Sequence, residues 1–101
     1  MAANQARELA QKYAQIVARE YQPKAIVLYG SHVQSAACAD SDIDVAIIFD
    51  GYTGDAWRDS ARLWHLTREV SLEIEPVILD VQDDASGFAS KILATGESLV
   101  V

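Results

Sequence analysis

The sequence predicts an α/β fold, a small mixed sheet flanked by helices, on three observations. Stretches with helical spacing of apolar residues alternate with short β-rich runs along the whole chain. With 101 residues, 50% of them apolar, the chain holds core material for one domain, 1-101, and leaves no room for a second. The single cysteine, Cys38, excludes an intrachain disulfide and a cysteine-rich zinc site, so the hydrophobic core must supply the stability.

Taken in order, Leu9, Tyr13, Ile16 and Val17 recur at helical spacing between Asn4 and Glu20, with Asn4 placed to cap the helix and Pro23 to stop it. AIVLY, 25 to 29, is a strand that runs into a tight turn at Gly30-Ser31. HVQSAACA, 32 to 39, reads as a short helix. DIDVAIIF, 42 to 49, opens with alternation and becomes continuously apolar, as a strand does when its far end is buried on both faces, and Asp50-Gly51 breaks it. Trp57, Ala61 and Trp64, with Leu63, Leu66 and Val70, predict a third helix over 55 to 70, for which Thr53 or Asp55 is the cap. LEIEPVIL, 72 to 79, is a strand in which Pro76, lacking a donor, requires an edge position or a bulge. Ser86 to Thr95 forms a short helix closed by Gly96, and Leu99-Val100-Val101 is an apolar tail.

Charge narrows the function classes. Eight Lys and Arg against fifteen Asp and Glu give −7, which offers no electrostatic footprint for polymeric nucleic acid. The longest apolar runs, such as Val45 to Phe49, fall far short of the roughly 20 residues that span a bilayer. Arg7, Glu8 and Lys12 stand where a signal peptide needs an apolar core, so the expected location is cytoplasmic.

One constellation rises above this background: Gly30-Ser31, ten residues, then Asp42-Ile43-Asp44 at the head of a strand. Residues two apart on a strand share a face, roughly 6 to 7 Å along the chain, so Asp42 and Asp44 can converge on cations. Hard oxygen donors of this kind suit Mg²⁺. For the turn and the Asp pair to share one rim, the two strands must run antiparallel. The turn and the helix start after it then offer N–H groups to a phosphate beside the paired carboxylates. A phosphate cradle next to a di-carboxylate cation site is what metal-assisted phosphoryl or nucleotidyl transfer requires. A third carboxylate, Glu73 or Glu75, lies on the strand at 72 to 79, and spacing does not choose between them. The plainer readings are a helix-capping Ser31 and a solvated edge strand bearing both glutamates.

Gly-Ser, ten residues, then Asp-x-Asp resembles the signature of the DNA polymerase beta nucleotidyltransferase superfamily, and the small size is similar to its minimal nucleotidyltransferase (MNT) branch. Ile74-Glu75-Pro76 and an apolar run, then Phe88, Ile92, Leu93 and Gly96 before an apolar tail, extend the resemblance over nearly the whole chain. It implies the nucleotidyltransferase fold. It also implies Asp42, Asp44 and Glu75 as catalytic residues and ligands of Mg²⁺, with two ions expected, and Gly30 and Ser31 as the hold on the triphosphate of ATP. Two departures stand out: Gln34 and Ser35 occupy positions where many members carry Arg or Lys and then Gly, and Glu75 stands where the family usually has Asp.

The function so implied is transfer of AMP from ATP to a hydroxyl acceptor. With no second domain to shape an acceptor pocket, the resemblance points to a protein partner or a homodimer, specifically a helical HEPN-type protein whose tyrosine is adenylylated by an MNT antitoxin. The alternatives are a catalytically degenerate module that binds nucleotide or neutralises a partner by contact, and a dimeric small-molecule adenylyltransferase. Elsewhere plain structural roles are the stronger reading. His32 and His65 are surface residues, Cys38 a small buried filler, Asp83-Asp84 loop charge and helix-start polarity. Trp57 and Trp64 serve core or partner-facing packing rather than base stacking.

Overall fold

The structure is a computed structural model and describes residues 3–30 and 42–99. The short helix expected at 32 to 39, and with it Ser31, His32, Gln34, Ser35 and Cys38, lies outside the described residues. The first helix, α1, spans Ala3–Glu20 and turns Ala6, Ala10, Tyr13, Ala14 and Val17 inward, all fully buried. Three of these five are alanines, which leaves little side-chain bulk between the helix and the layer below it. The helix already includes Asn4, which therefore does not cap it from outside. The buried Tyr13 hydroxyl donates to the Leu63 carbonyl at 2.7 Å, which gives its one polar atom a partner and ties α1 to the second helix.

Four strands form one sheet: β1 (Ala25–Tyr29), β2 (Ile43–Phe49), β3 (Ile74–Asp80) and β4 (Glu97–Ser98), in the order β3-β2-β1-β4. β1 and β2 are antiparallel, as the shared rim requires. β2 and β3 are parallel, so the chain must cross over between them, and α2 (Ala56–Leu66) with a 3-10 turn at Thr67–Glu69 makes that crossover. Pro76 sits on the edge strand β3, and the pairing runs unbroken from Ile43 against Ile74 to Phe49 against Asp80, so the edge position accommodates it without a bulge.

Each face of the sheet has its own cluster. Ile26, Leu28, Ile43, Val45, Ile47 and Ile74 meet α1 and the α2 residues Leu63 and Leu66. Val27, Ala46 and Ile48 face the other way onto Ile92 of α3 (Phe88–Thr95). Residues 45–48 of β2 are therefore fully buried from both sides, which is the reason for its continuous apolar run.

Asp55 rather than Thr53 caps α2, accepting from the Trp57 and Arg58 amides. α2 turns only Leu63 and Leu66 into the core and leaves Trp57 and Trp64 outside, 90% and 46% exposed, so these tryptophans are not core residues. α3 is capped from a distance: Asp84 accepts from the Ala89 and Ser90 amides at 2.9 and 3.0 Å and from the Ser90 hydroxyl at 2.8 Å. Those donors hold the Asp84 carboxyl below the usual aspartate range. A carboxyl lowered by folding stabilises the fold above its unfolded-state value near 3.8 and loses that contribution as pH falls through the folded value. Asp84→Asn is accordingly expected to lower the melting temperature at neutral pH, with the gap to the parent protein narrowing as pH falls below 3.8, which thermal unfolding across an acid series checks.

α3 ends at Gly96 for a steric reason. Its φ of −83° is open to any residue, but a Cβ there would lie 2.8 Å from the Ile92 carbonyl oxygen and 3.0 Å from that of Leu28. This close approach lets the chain turn at once into β4, which pairs antiparallel with β1 through Val27 against Ser98 and Leu28 against Glu97. The tail expectation is thus amended: Glu97–Ser98 is a short strand, and Leu99 packs into the core behind it.

Candidate nucleotide site

The strand register assembles the site. Tyr29 of β1 stands opposite Asp44 of β2, and Asp44 opposite Glu75 of β3. The next row on the same face is Val27, Ala46 and Val77, and the one after it Ala25, Ile48 and Leu79, the apolar ladder that packs beside α3. A polar row therefore closes one end of an apolar face. Asp42 precedes β2 and points to the same end, two residues before Asp44.

Three carboxylates converge here. The Glu75 carboxyl is raised, first by loss of water around it, then by the charges of Asp42 and Asp44 and by hydrogen bonds with both. Tyr29 is raised by burial and by the charges of Asp44 and Glu75, which places its ring beside the same group. Glu73 is not in the row. It lies just before β3, where its carbonyl accepts the Ile43 amide at 2.8 Å.

Gly30 follows Tyr29 at the rim with φ +84°, and a Cβ on it would stand 2.5 Å from the Asp44 Oδ2 atom. Only glycine meets both demands, a left-handed backbone and a carboxylate against its Cα. Ser31 lies outside the described residues.

Among the described residues no three carboxylate, imidazole or thiol groups are already gathered around a common cation position. The donor set nonetheless fits Mg²⁺. All three candidate ligands are hard oxygen donors at one end of the same sheet face, the chemistry that Mg²⁺ prefers.

The sequence did not single out Tyr29, whose signal was its place directly before Gly30 on a strand antiparallel to the Asp pair. Its ring meets that of Phe88, at the start of α3, edge to face at 6.0 Å. A cleft of about 450 Å³ between the end of α1 and the start of α2, lined by Glu20, Tyr21, Asp59 and Arg62, includes no member of the row.

A mixed sheet with an antiparallel β1–β2 pair, a carboxylate row at its rim and helices on both faces defines a nucleotidyltransferase fold. The chain belongs to the polymerase beta nucleotidyltransferase family, whose model matches residues 11–101. Two solved structures share the fold. One is a Sulfolobus solfataricus protein assigned to the nucleotidyltransferases, at 17% identity and a TM-score of 0.65 over 97% of this chain and 86% of that one. The other is a toxin–antitoxin structure solved with AMP-PNP, at 20% identity and a TM-score of 0.59 over 89% of this chain and 72% of that one. No curated protein sequence matches the chain. No helix among the described residues is long and apolar enough to cross a membrane.

Proposed function

We propose that the protein is a cytoplasmic, single-domain nucleotidyltransferase that moves AMP from ATP to a hydroxyl of a partner protein, and that it serves as the antitoxin of a toxin–antitoxin pair. The observation that carries this reading is the carboxylate cluster at the rim of β2 and β3, Asp44 and Glu75 in register with Asp42 beside them, set against Gly30 at the end of β1. Family membership supports the reaction type, and the toxin–antitoxin neighbour with its bound AMP-PNP supports the donor and the setting.

Asp42, Asp44 and Glu75 would hold Mg²⁺, two ions in this reading. Bound there, the cations supply neutralisation of the polyphosphate and alignment of the attacking and leaving oxygens. Gly30 leaves the rim open to the triphosphate, and the Ser31 hydroxyl holds it. The acceptor hydroxyl oxygen forms a bond to the α-phosphorus as the bond from that phosphorus to the bridging oxygen breaks and pyrophosphate leaves. A carboxylate oxygen of Glu75 receives the acceptor proton. The acceptor in this reading is a tyrosine of a helical HEPN-type protein, in keeping with the toxin–antitoxin setting of the structure solved with AMP-PNP.

Transfer of label from α-phosphate-labelled ATP with Mg²⁺, onto a helical protein encoded beside this one and onto proteins of the source lysate, tests the reading, with Asp44→Asn as control. Label on a protein that vanishes in the variant establishes the transferase and names its acceptor. Binding of Mg·ATP without transfer to any protein would replace it with a contact module or a small-molecule enzyme.

A further inference from the structure

We infer that the outer edge of β3 is a dimer interface, at which β3 pairs antiparallel with β3 of a second copy about a two-fold axis at Ile78. The inference concerns the backbone on the side of β3 away from β2, and it stands or falls apart from the transfer reaction.

β3 has β2 on one side and no strand of the described residues on the other. Two bonds fix which of its residues turn toward β2: the Glu73 carbonyl accepts the Ile43 amide, and the Val81 amide donates to the Phe49 carbonyl. In a parallel ladder alternate residues serve one neighbour, so the odd-numbered residues from 73 to 81 bond β2 and the even-numbered ones direct their backbone outward. The outward amide of Ile74 is taken up by the Ser71 carbonyl at 3.3 Å, and the outward carbonyl of Asp80 accepts the Asp83 amide at 3.1 Å. Pro76 has no N–H. Between Pro76 and Asp80 the edge therefore presents the Pro76 carbonyl, the amide and carbonyl of Ile78, and the Asp80 amide, all without a partner among the described residues. The same edge lines an open cleft of about 390 Å³ with Tyr52, Ala56 and Ser60, so the start of α2 does not pack over it.

These groups are complementary to themselves. With the axis at Ile78, each Ile78 amide donates to the Ile78 carbonyl of the other copy, and each Asp80 amide donates to the Pro76 carbonyl of the other copy. The one bond this pairing lacks is a bond that neither side requires: Pro76 has no donor to give, and the Asp80 carbonyl across from it already accepts the Asp83 amide. Moving the axis to Val77 would set the Ile78 carbonyl against Pro76, and moving it to Leu79 would set the Ile78 amide against the occupied Asp80 carbonyl. Either shift leaves a group of Ile78 unpaired, so the register is specified. A strand of unrelated sequence would bring a carbonyl with no other bond against Pro76, which is why the occupant is a second copy.

The side chains agree with this register. Val77 falls across from Leu79 of the second copy, on the face where both are half-buried against the cluster around Ile48, and Ile78 meets its own copy on the other face. Glu75 falls across from Val81 and Asp80 across from Pro76, so no carboxylate of the strand opposes another, although the chain carries a charge of −7. Pairing also covers Val77, Ile78 and Leu79, an apolar run on an edge that water would otherwise meet.

The test is the mass of the full chain by light scattering as its concentration rises, with amide hydrogen exchange followed residue by residue on the same samples. The mass is expected to approach that of two chains by about 100 μM, and exchange of the Ile78 and Asp80 amides to slow at least about tenfold over the same range. Ile78→Lys is expected to weaken association at least about tenfold, because the axis sets the substituted side chain against its own copy. Ile78→Glu should do the same, and the two variants mixed should pair with each other, as only an axis at residue 78 requires. A single-chain mass at about 100 μM would overturn the proposal. So would a dimer in which the Ile78 and Asp80 amides exchange as fast as in dilute protein, which places the contact on another face. Protection of these amides only after a different protein is added would overturn it in favour of that protein's strand. The exchange measurement uses the parent protein, so it decides the question even where neither variant folds.

Discussion

Asp44→Asn is expected to abolish nucleotidyl transfer, by at least about 100-fold in kcat, without lowering the melting temperature. The loss follows from the position of the carboxylate. Asp44 stands in register between Tyr29 and Glu75, and if it holds a cation as proposed, replacing its charge by a neutral amide forfeits several kcal/mol of charge stabilisation, at about 1.4 kcal/mol per tenfold in rate. The preserved stability follows from the same row. Asp44 is at the rim of β2, while the packing of the strand comes from Val45, Ala46, Ile47 and Ile48, which the substitution leaves alone. Removing one of three converging charges relieves repulsion on Glu75, so the variant should melt at or slightly above the parent temperature. Labelled transfer and thermal unfolding on the same preparation check both halves. Parent-like transfer by folded variant would remove Asp44 from the reaction.

What the sequence disclosed about this site came through periodicity and punctuation. The alternation of DIDVAIIF located the Asp pair at the entrance of a buried strand, and Gly30-Ser31 located the end of the preceding one. From these two facts alone the antiparallel pairing of β1 and β2 followed, because a short link had to return both ends to one rim. Spacing did not choose between Glu73 and Glu75, since both lie on the same face of an extended run, and only the family resemblance pointed to Glu75. Register decides which of them meets Asp44, and register depends on the parallel crossover through α2, a tertiary fact. β4 escaped notice for a different reason: two residues have no period, and their pairing depends on the sharp turn that the bare Cα of Gly96 permits against two carbonyl oxygens. The tryptophans misled in part because spacing shows which residues share a face and not which face is inward. Leu63 and Leu66, rather than Trp57 and Trp64, are the pair that α2 buries, since the sheet already presents Ile43, Val45 and Ile74 as a flat apolar surface on that side.

Gly30→Ala is expected to damage both the fold and the site, by separable amounts. Its φ of +84° imposes a backbone that costs a residue with a Cβ roughly 1 to 2 kcal/mol, and this strain is present whatever surrounds it. The contact with Asp44 adds a second effect. The new Cβ would stand 2.5 Å from Oδ2 but 3.5 Å from Cγ and 3.7 Å from the Asp44 Cβ, so only the carboxylate oxygen has to move. A carboxylate at a strand rim can rotate away at little cost to stability, but it then leaves the position from which it faces Glu75. Transfer should therefore fall at least about tenfold while melting falls by no more than the backbone strain implies. A double-substitution cycle separates the two effects, because Asp44→Ala removes the offending oxygen and keeps the backbone requirement. The stability loss from Gly30→Ala should be nearly the same in the parent and in the Asp44→Ala background. A loss that largely disappears in that background would show that the carboxylate is rigidly held and that contact, rather than φ, fixes glycine at this position.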